Sequence, residues 1–333
     1  MAPRTQYAHS GDISIAYQVA GEGPIDILLV PGWLSQVEHM WEEPSVERLF
    51  NRFASFARLI MFDRRGCGLS DRLSEPPALE EEVQDVVAVL DAVGSERAAV
   101  VGYAAGGPLA VWLATTLPER VVALVLYAAM IRTTAAPDYN WALTPEQREM
   151  SMAESAAHWG EGVNVPLVAP SRAGDLRFVE WMGRLERLAV SPGTMVSMVR
   201  ASATADVRDR LSSIRVPTLV MHRTDDALID VRHSRYAAAE IPGARYVELE
   251  GADNLMTVGD TDAIVDEAEE FLTGGRRGVA PERALLTVMF SDIVDATGRA
   301  AALGDGRWRE LLADHDAVVR KELRRFGGRE VKT

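Results

Sequence analysis

Short apolar runs alternate with longer amphipathic segments through the first two thirds of the chain. Several of these runs are continuously apolar, which is typical of parallel strands buried on both faces of a sheet. Helical segments such as Leu79–Val93 and Pro108–Leu117 fall between them. The alternation predicts a doubly wound, mostly parallel α/β sheet. The predicted strands are Ile13–Val19, Ile25–Val30, Leu59–Phe62, Ala98–Gly102, Val121–Tyr127, Val216–His222 and Arg245–Leu249.

A stretch from about residue 132 to residue 210 breaks this alternation. It is rich in helix-forming residues, tryptophan and methionine, and prolines such as Pro145, Pro166 and Pro192 divide it into short segments. We therefore expect a helical cap insertion. Packing within a small subdomain accounts for its bulky side chains, and a ligand-facing role is the alternative.

Glycine and proline mark a linker that follows a predicted helix at Asp262–Leu272. The chain is thus predicted to contain a large domain over residues 1–273, a linker over 274–282 and a smaller piece over 283–333. The smaller piece has a slight excess of basic over acidic residues, so the acidity of the chain lies in the large domain.

The charge and cysteine content bear on partners and location. A net charge of −14 over 333 residues argues against nonspecific binding of nucleic acid. Cys67 is the one cysteine, which excludes an internal disulfide, and the first residues lack the apolar core of a secretion signal. The uncharged stretch Ala98–Pro118 is interrupted by glycines that suit a buried strand, turn and helix. We therefore expect a cytoplasmic protein with neither nucleic acid nor a membrane as partner.

The segment Gly102-Tyr103-Ala104-Ala105-Gly106 follows the G-x-S-x-G pattern except at its centre. In that pattern a strand turns sharply into a helix and holds a serine above the sheet, where its hydroxyl attacks a carbonyl carbon. Ala104 stands in place of the serine, and its methyl group has neither a lone pair nor a proton to give up. The sequence therefore predicts the backbone of an acyl-transfer site with a vacant nucleophile position.

Acyl transfer also needs a base that takes the proton of the nucleophile and an acid that orients the base. In the chain order typical of such folds, both follow the nucleophile turn. Asp226, in the loop after the predicted strand Val216–His222, is our predicted acid position. Asn254, in the loop after the next strand, fills the predicted base position, where no histidine occurs.

Further motifs carry a resemblance to a known family. The D-x-R-G-x-G-x-S run at Asp63–Ser70 is moderately specific to α/β-hydrolases. Together with the elbow, it makes the chain similar to actinobacterial proteins in which an α/β-hydrolase domain is fused to a class III adenylate/guanylate cyclase. The other matching segments are Val30–Trp33, Gly106–Pro108, His222–Thr224, Glu269–Gly274 and Leu285–Val294.

The resemblance implies a serine where Ala104 stands and a histidine where Asn254 stands, so Asp226 has no imidazole to orient. It also places the oxyanion amides at Trp33, after Gly32, and at Ala105. Backbone amides survive side-chain changes, so a socket for a carbonyl or carboxylate oxygen is expected. A further residue, His39, is expected near the mouth of the pocket.

Two functions follow from these implications. The first is a non-catalytic domain, without a cofactor, that binds a small apolar acyl or carboxylate ligand or regulates an attached cyclase. The second is a serine ester hydrolase in an inactivated form, or the regulatory part of a longer cyclase. Loss of both reactive side chains favours the first, and we expect it.

The last segment resembles the beginning of a class III cyclase domain. Asp292 matches the first metal ligand of such enzymes, while Asp295 brings negative charge close to where phosphates would lie. The resemblance makes Lys332 the purine-binding lysine, but the motif with the second metal ligand does not follow it. We expect no cyclase activity from this fragment. Its unfinished sheet edge leaves a homodimer open as an alternative.

Overall fold

The computed structural model describes residues 2–32, 34–276 and 294–325. The chain divides into two compact units, Met1–Gly278 and Val279–Thr333. In the second unit, the described residues include a helix at Ala296–Arg325. That helix is interrupted at Gly304, where φ is 74° and ψ is 159°.

One sheet of eight strands forms the centre of the first unit. The strands are β1 (Gln6–Ser10), β2 (Ile13–Ala20), β3 (Asp26–Val30), β4 (Arg58–Phe62), β5 (Ala98–Tyr103), β6 (Val121–Tyr127), β7 (Thr218–Arg223) and β8 (Arg245–Leu249). Their order across the sheet is β1-β2-β4-β3-β5-β6-β7-β8. The pairs β1–β2 and β2–β4 are antiparallel, and the other neighbouring pairs are parallel.

Helices cover both faces of the sheet. They are α1 (Pro44–Ala54), α2 (Leu79–Ala92), α3 (Gly107–Thr116), α4 (Pro145–Ala157), α5 (Val165–Val168), α6 (Leu176–Ala189), α7 (Pro192–Ala201), α8 (Arg208–Leu211), α9 (Arg232–Glu240) and α10 (Thr261–Thr273). α1 and α10 pack on one face, and α2, α3 and α9 pack on the other. Because successive strand residues point to opposite faces, each strand contributes to two separate apolar cores.

The insertion between β6 and β7 carries helices α4 to α7. A backbone bridge between Arg132 and Asp206 joins its two ends. Its helix α6 buries one apolar face, which includes Phe178 and Met182, against Val165 and against Val258 of the main domain. This helical layer therefore has its own small core, which also packs against the main domain.

The predicted doubly wound, mostly parallel sheet is confirmed, whereas one strand was missed. β1 has a polar sequence and lies at the edge of the sheet, so it lacks the apolar signal of a central strand. The predicted cyclase fragment is not shown, since Asp292 and Lys332 lie outside the described residues. Within the described ranges, no helix is both long and apolar enough to span a lipid bilayer.

Candidate active site

The turn from β5 into α3 forms a sharp elbow at Ala104. Its φ of 48° lies in the left-handed region, which residues other than glycine seldom adopt. The glycines on either side of the elbow, Gly102 and Gly106, allow neighbouring segments of the chain to pack closely against it. A Cβ on Gly102 would lie 2.6 Å from the Cβ of Ala110, and one on Gly106 would lie 2.5 Å from the carbonyl oxygen of Pro31. The backbone thus keeps the conformation of a nucleophile elbow around a methyl group.

The amide of Ala105 directly follows the elbow residue and belongs to the same peptide group as the Ala104 carbonyl. The carbonyl oxygen of Ala104 accepts hydrogen bonds from the amide of Met130, at 3.0 Å, and from the amide of Gly107. Because the trans peptide group is planar, the N–H of Ala105 points away from those two donors. In an elbow of this kind, the amide after the nucleophile stabilises the tetrahedral oxyanion.

Four donors fix the carboxylate of Asp226. Its Oδ1 accepts hydrogen bonds from the amides of Leu228, at 2.9 Å, and Ile229, at 3.0 Å. Its Oδ2 accepts from Nε2 of His222, at 3.1 Å, and from Nδ2 of Asn254, at 2.7 Å. The carboxylate is therefore held in one orientation and bonded to the residue at the base position, as the acid of a triad would be.

Tyr103 links the base position to the elbow. Its hydroxyl donates a hydrogen bond of 2.6 Å to Oδ1 of Asn254, which is fully buried. Burial raises the pKa of Tyr103 well above its ordinary value, so the phenol stays protonated and acts as a donor. A chain of hydrogen bonds therefore runs from Tyr103, the neighbour of Ala104, through Asn254 to Asp226. In a serine hydrolase the corresponding chain runs from the nucleophile through histidine to the acid.

The loop that carries Asn254 is held from two sides. From the cap, the amide and the hydroxyl of Ser171 donate to the carboxylate of Asp253, at 3.0 and 2.8 Å, and the carbonyl of Val168 accepts from the Asn254 amide at 3.0 Å. From the domain, the buried guanidinium of Arg223 donates to the Asp253 carbonyl at 2.7 Å. Position 254 is thus fixed by both the cap and the sheet.

The D-x-R-G run stabilises the loop after β3, which carries Gly32. The buried carboxylate of Asp63 accepts hydrogen bonds from the amides of Val37, at 3.0 Å, and Leu69, at 2.9 Å. Burial raises the pKa of Asp63 to about 6. Arg64 donates to the Gly32 carbonyl at 3.3 Å. The run therefore organises the loop after β3 rather than taking part in chemistry.

Gly32 lies close to the elbow, as its predicted role requires. A Cβ built on it would lie 3.8 Å from the Cβ of Ala104 and 3.7 Å from the ring of Tyr103. Trp33, the predicted second oxyanion amide, lies outside the described residues. His39 is buried beneath the cap, where its ring stacks on Trp181 at 5.6 Å and its Nε2 bonds the Trp181 carbonyl at 3.1 Å. His39 thus joins the domain to the cap.

A cavity of about 270 Å³ lies beside the elbow, and Ala105 forms part of its wall. The first turn of α2, the helix α3 and the end of the cap insertion enclose it. The other lining residues are Arg64, Pro76, Pro77, Ala78, Leu79, Glu80, Glu82, Pro108, Trp112, Thr133, Met198, Ala201, Ser202, Thr204, Ala205 and Asp206.

The structure brings Asp226 and Asn254 into direct contact at the carboxyl end of the sheet, next to the elbow. Sequence reasoning missed Tyr103, because the pattern G-x-S-x-G places no requirement on that position. It also missed Ser171, which lies in the cap and far along the chain from the Asp253 that it binds. His222, in β7, contacts both Asp226 and Ser234.

Comparison with known proteins decides the family. The alpha/beta hydrolase fold family matches residues 27–256, which include the elbow and both loops. The chain belongs to the alpha/beta hydrolase fold family. Over 246 residues it is 31% identical to a protein named as carbamate hydrolase RutD from Azorhizobium caulinodans, with 73% of this chain and 89% of that protein covered.

Two further proteins are similar to the chain. A pimeloyl-acyl-carrier-protein methyl ester esterase from Nitrosomonas europaea is 26% identical over 238 residues, with 70% of this chain and 90% of that protein covered. The enol-lactonase structure from Burkholderia xenovorans superposes with a TM-score of 0.67 at 23% identity, and covers 80% of this chain and 100% of its own. The structural match shows the fold alone.

These relatives correct the predicted function. The prediction of a non-catalytic ligand-binding or regulatory domain is wrong, because the relatives are named as hydrolases and the similarity covers the elbow, acid loop and base loop. The findings support the second interpretation, a hydrolase. The family match ends at residue 256, so the predicted fusion to a cyclase is not shown.

Proposed function

We propose that this chain is a hydrolase of carboxylic esters or related acyl compounds, in an inactivated form. Ala104 and Asn254 occupy the positions of its nucleophile and base. The hydrogen bond of 2.7 Å from Asn254 to Asp226 carries the proposal, since it keeps the acid and base positions paired beside an elbow of catalytic shape. The names of the relatives, a carbamate hydrolase and an ester esterase, support the same class of reaction.

Acyl transfer gives each position of the site a defined role. A serine at position 104 would attack the substrate carbonyl, and a histidine at position 254 would take its proton and pass it to the leaving group. Asp226 would orient that histidine and stabilise its protonated form. The amide of Ala105 would stabilise the negative charge on the carbonyl oxygen. Of these groups, the chain already contains Asp226 and the Ala105 amide, and it lacks the serine and the histidine.

The direct test restores the two missing side chains. We expect the double variant Ala104→Ser/Asn254→His to hydrolyse p-nitrophenyl acetate. Because nucleophile and base act as a unit, we expect each single variant to remain at least about a hundredfold slower. A p-nitrophenyl carbamate assayed beside the ester shows which of the two substrate classes named by the relatives is cleaved faster.

The controls concern the mechanism and the fold. Adding Asp226→Asn to the double variant should abolish most of the gained rate, and a fluorophosphonate should label the double variant at position 104 alone. A double variant that unfolds like the unmodified chain and yet cleaves neither substrate would contradict the proposal. Turnover by the unmodified chain above a trace rate would contradict the inactivated form.

Three earlier predictions belong to this proposal and stay untested. The ligand is a small apolar acyl or carboxylate compound, the chain is cytoplasmic, and residues 283–333 are a separate piece that resembles the start of a class III cyclase. A homodimer formed through that piece is the alternative to a monomer. Light scattering on the full chain separates a monomer from a dimer.

A further inference from the structure

A buried histidine on β7 approaches the acid position from the side of the sheet. His222 is the penultimate residue of β7, and its side chain and that of Asp226 are both fully buried. Because side chains alternate along a strand, His222 points to the same face as Val220, which packs in the core beneath α9. His222 therefore lies between α9 and the loop that carries the acid.

The hydrogen bonds of the imidazole fix its orientation. Its Nε2 lies 3.1 Å from Oδ2 of Asp226 and 2.9 Å from the carbonyl oxygen of Ile229. Since carboxylate and carbonyl oxygens are acceptors, Nε2 carries a proton. Nδ1 lies 2.7 Å from the hydroxyl of Ser234, which can donate to the neutral ring or accept from the charged one. The ring thus donates to Asp226 in either protonation state.

Ser234, His222 and Asp226 present the same succession of groups as a catalytic triad. The serine, however, belongs to α9 and is only 1% exposed, so a substrate carbonyl cannot reach its hydroxyl. This second chain of hydrogen bonds therefore acts on the carboxylate of Asp226 and not on a substrate.

The carboxylate of Asp226 is shared between this chain and the base position. Each carboxylate oxygen has two lone pairs. The amides of Leu228 and Ile229 donate to Oδ1, and His222 and Asn254 both donate to Oδ2. Because His222 occupies one lone pair of Oδ2, the other is left for the side chain at position 254. The imidazole thereby sets the direction in which the acid accepts a hydrogen bond from the base position.

We propose that His222 is the positioning residue of the acid and that Ser234 holds its ring. His222 orients Oδ2 of Asp226 toward position 254 and does not touch the substrate. The assignment rests on the proposed function, and it adds to the same site a residue that acts through the acid. The bond from Asn254 to Asp226 in the unmodified chain, and the rate of the restored hydrolase, should both depend on it.

The unmodified chain tests this role without turnover. The probe is the side-chain amide of Asn254, whose proton–nitrogen resonances are assigned by their loss in Asn254→Ser. We expect His222→Phe, which keeps a ring of similar size without the N–H, to shift these resonances and to speed exchange of the amide protons with water. His222→Gln retains an N–H and should leave them near their original positions. His233→Phe is the matched control, since it removes a buried histidine of α9 that bonds Tyr139 rather than Asp226.

The double variant shows the same role in the kinetics of p-nitrophenyl acetate hydrolysis. We expect His222→Phe to misplace the acid and lower kcat by about ten- to a hundredfold, with KM unchanged because His222 does not touch the substrate. His222→Gln should recover most of the loss, and His233→Phe should leave kcat unchanged. Ser234→Ala keeps the ring but releases Nδ1, and it should lower kcat by about three- to tenfold, the rate equivalent of one hydrogen bond.

The two sets of measurements separate the positioning role from hydrolysis. If the double variant is inactive, the proposed hydrolysis fails, and the Asn254 resonances alone decide the role of His222. If the double variant is active and His222→Phe changes kcat and the resonances no more than His233→Phe does, the role is wrong and hydrolysis stands. A loss that His222→Gln does not recover, or a change confined to KM, would overturn the role as well. Ser234→Ala decides the question if His222→Phe does not fold, and an unchanged kcat there would overturn the role.

Discussion

Replacing Tyr103 with phenylalanine should lower the stability of the unmodified chain. In the restored hydrolase, the same replacement should raise the rate of hydrolysis. In the unmodified chain, Tyr103→Phe removes the donor that lies 2.6 Å from Oδ1 of Asn254. Asn254 is fully buried, so its carbonyl oxygen would lose this donor with no access to water. Leaving a buried polar group unsatisfied costs about 1–3 kcal/mol of unfolding free energy. For a domain of this size, each kcal/mol corresponds to about 2–4 °C in Tm.

When a histidine stands at position 254, we expect the same substitution to be favourable, because it should raise the rate of ester hydrolysis. The Asn254 side chain already bonds Asp226 on one side and Tyr103 on the other. A larger imidazole that keeps the bond to Asp226 must extend toward the Tyr103 hydroxyl and compete with it for space. Misplacing a catalytic group by about 1 Å can cost on the order of a hundredfold in rate. We therefore expect Tyr103→Phe to accelerate ester hydrolysis by the double variant, by about ten- to a hundredfold.

The assay combines urea unfolding with ester hydrolysis in four proteins: the unmodified chain, Tyr103→Phe, the double variant and the triple variant. Tyr127→Phe is the matched control, because the buried Tyr127 lies 6.1 Å from Tyr103 and its hydroxyl has no hydrogen-bond partner among the described residues. We expect this control to cost little stability. The reasoning is refuted if Tyr103→Phe costs no more than Tyr127→Phe, or if it slows the double variant.

Three further predictions concern the acid, a buried histidine and the elbow. Asp226→Asn places an amide nitrogen against donor groups. We expect it to lower the unfolding free energy by about 2–4 kcal/mol, measured by urea unfolding. In the double variant it should lower the rate of ester hydrolysis by about 10⁴. Burial, aided by His222, lowers the pKa of His233 to about 4. Between about pH 6.5 and pH 4 the unfolded chain therefore binds a proton that the folded chain does not, and urea titrations should show a stability loss of up to about 3 kcal/mol that His233→Gln removes. Ala104→Gly should keep or raise the unfolding free energy, by up to about 1 kcal/mol, because glycine adopts the φ of 48° without strain, whereas the same change at the helical Ala110 should lower it.

The sheet could be predicted from the sequence because its central strands are nearly continuous apolar runs. β6 was predicted with its observed bounds, Val121–Tyr127, since every second residue packs into one of two helix-covered cores. β1 could not be predicted in this way. Gln6–Ser10 is held at the edge by its antiparallel register with β2, which is a property of its partner rather than of its own pattern.

The acid and base positions could be predicted from the order of strands and loops along the chain, because loops after parallel strands meet at the carboxyl edge of the sheet. The contacts that tune the site did not follow, since they join residues far apart in the chain. Tyr103 and Asn254 are separated by 151 positions, and the cap residue Ser171 reaches Asp253 across 82. No local periodicity encodes such pairs, and they become visible only once the sheet and cap are assembled.

The elbow keeps its strained backbone although its central side chain gains nothing from it. A left-handed conformation costs a residue such as Ala104 about 1–2 kcal/mol. The turn persists because the close contacts of Gly102 and Gly106 and the two amides on the Ala104 carbonyl impose it, independently of the side chain. The carboxylate of Asp226 is likewise fixed by backbone amides. Because the scaffold does not depend on the reactive atoms, restoring a hydroxyl and an imidazole should restore hydrolysis, and the Tyr103 hydroxyl is the one neighbouring group that we expect to oppose it.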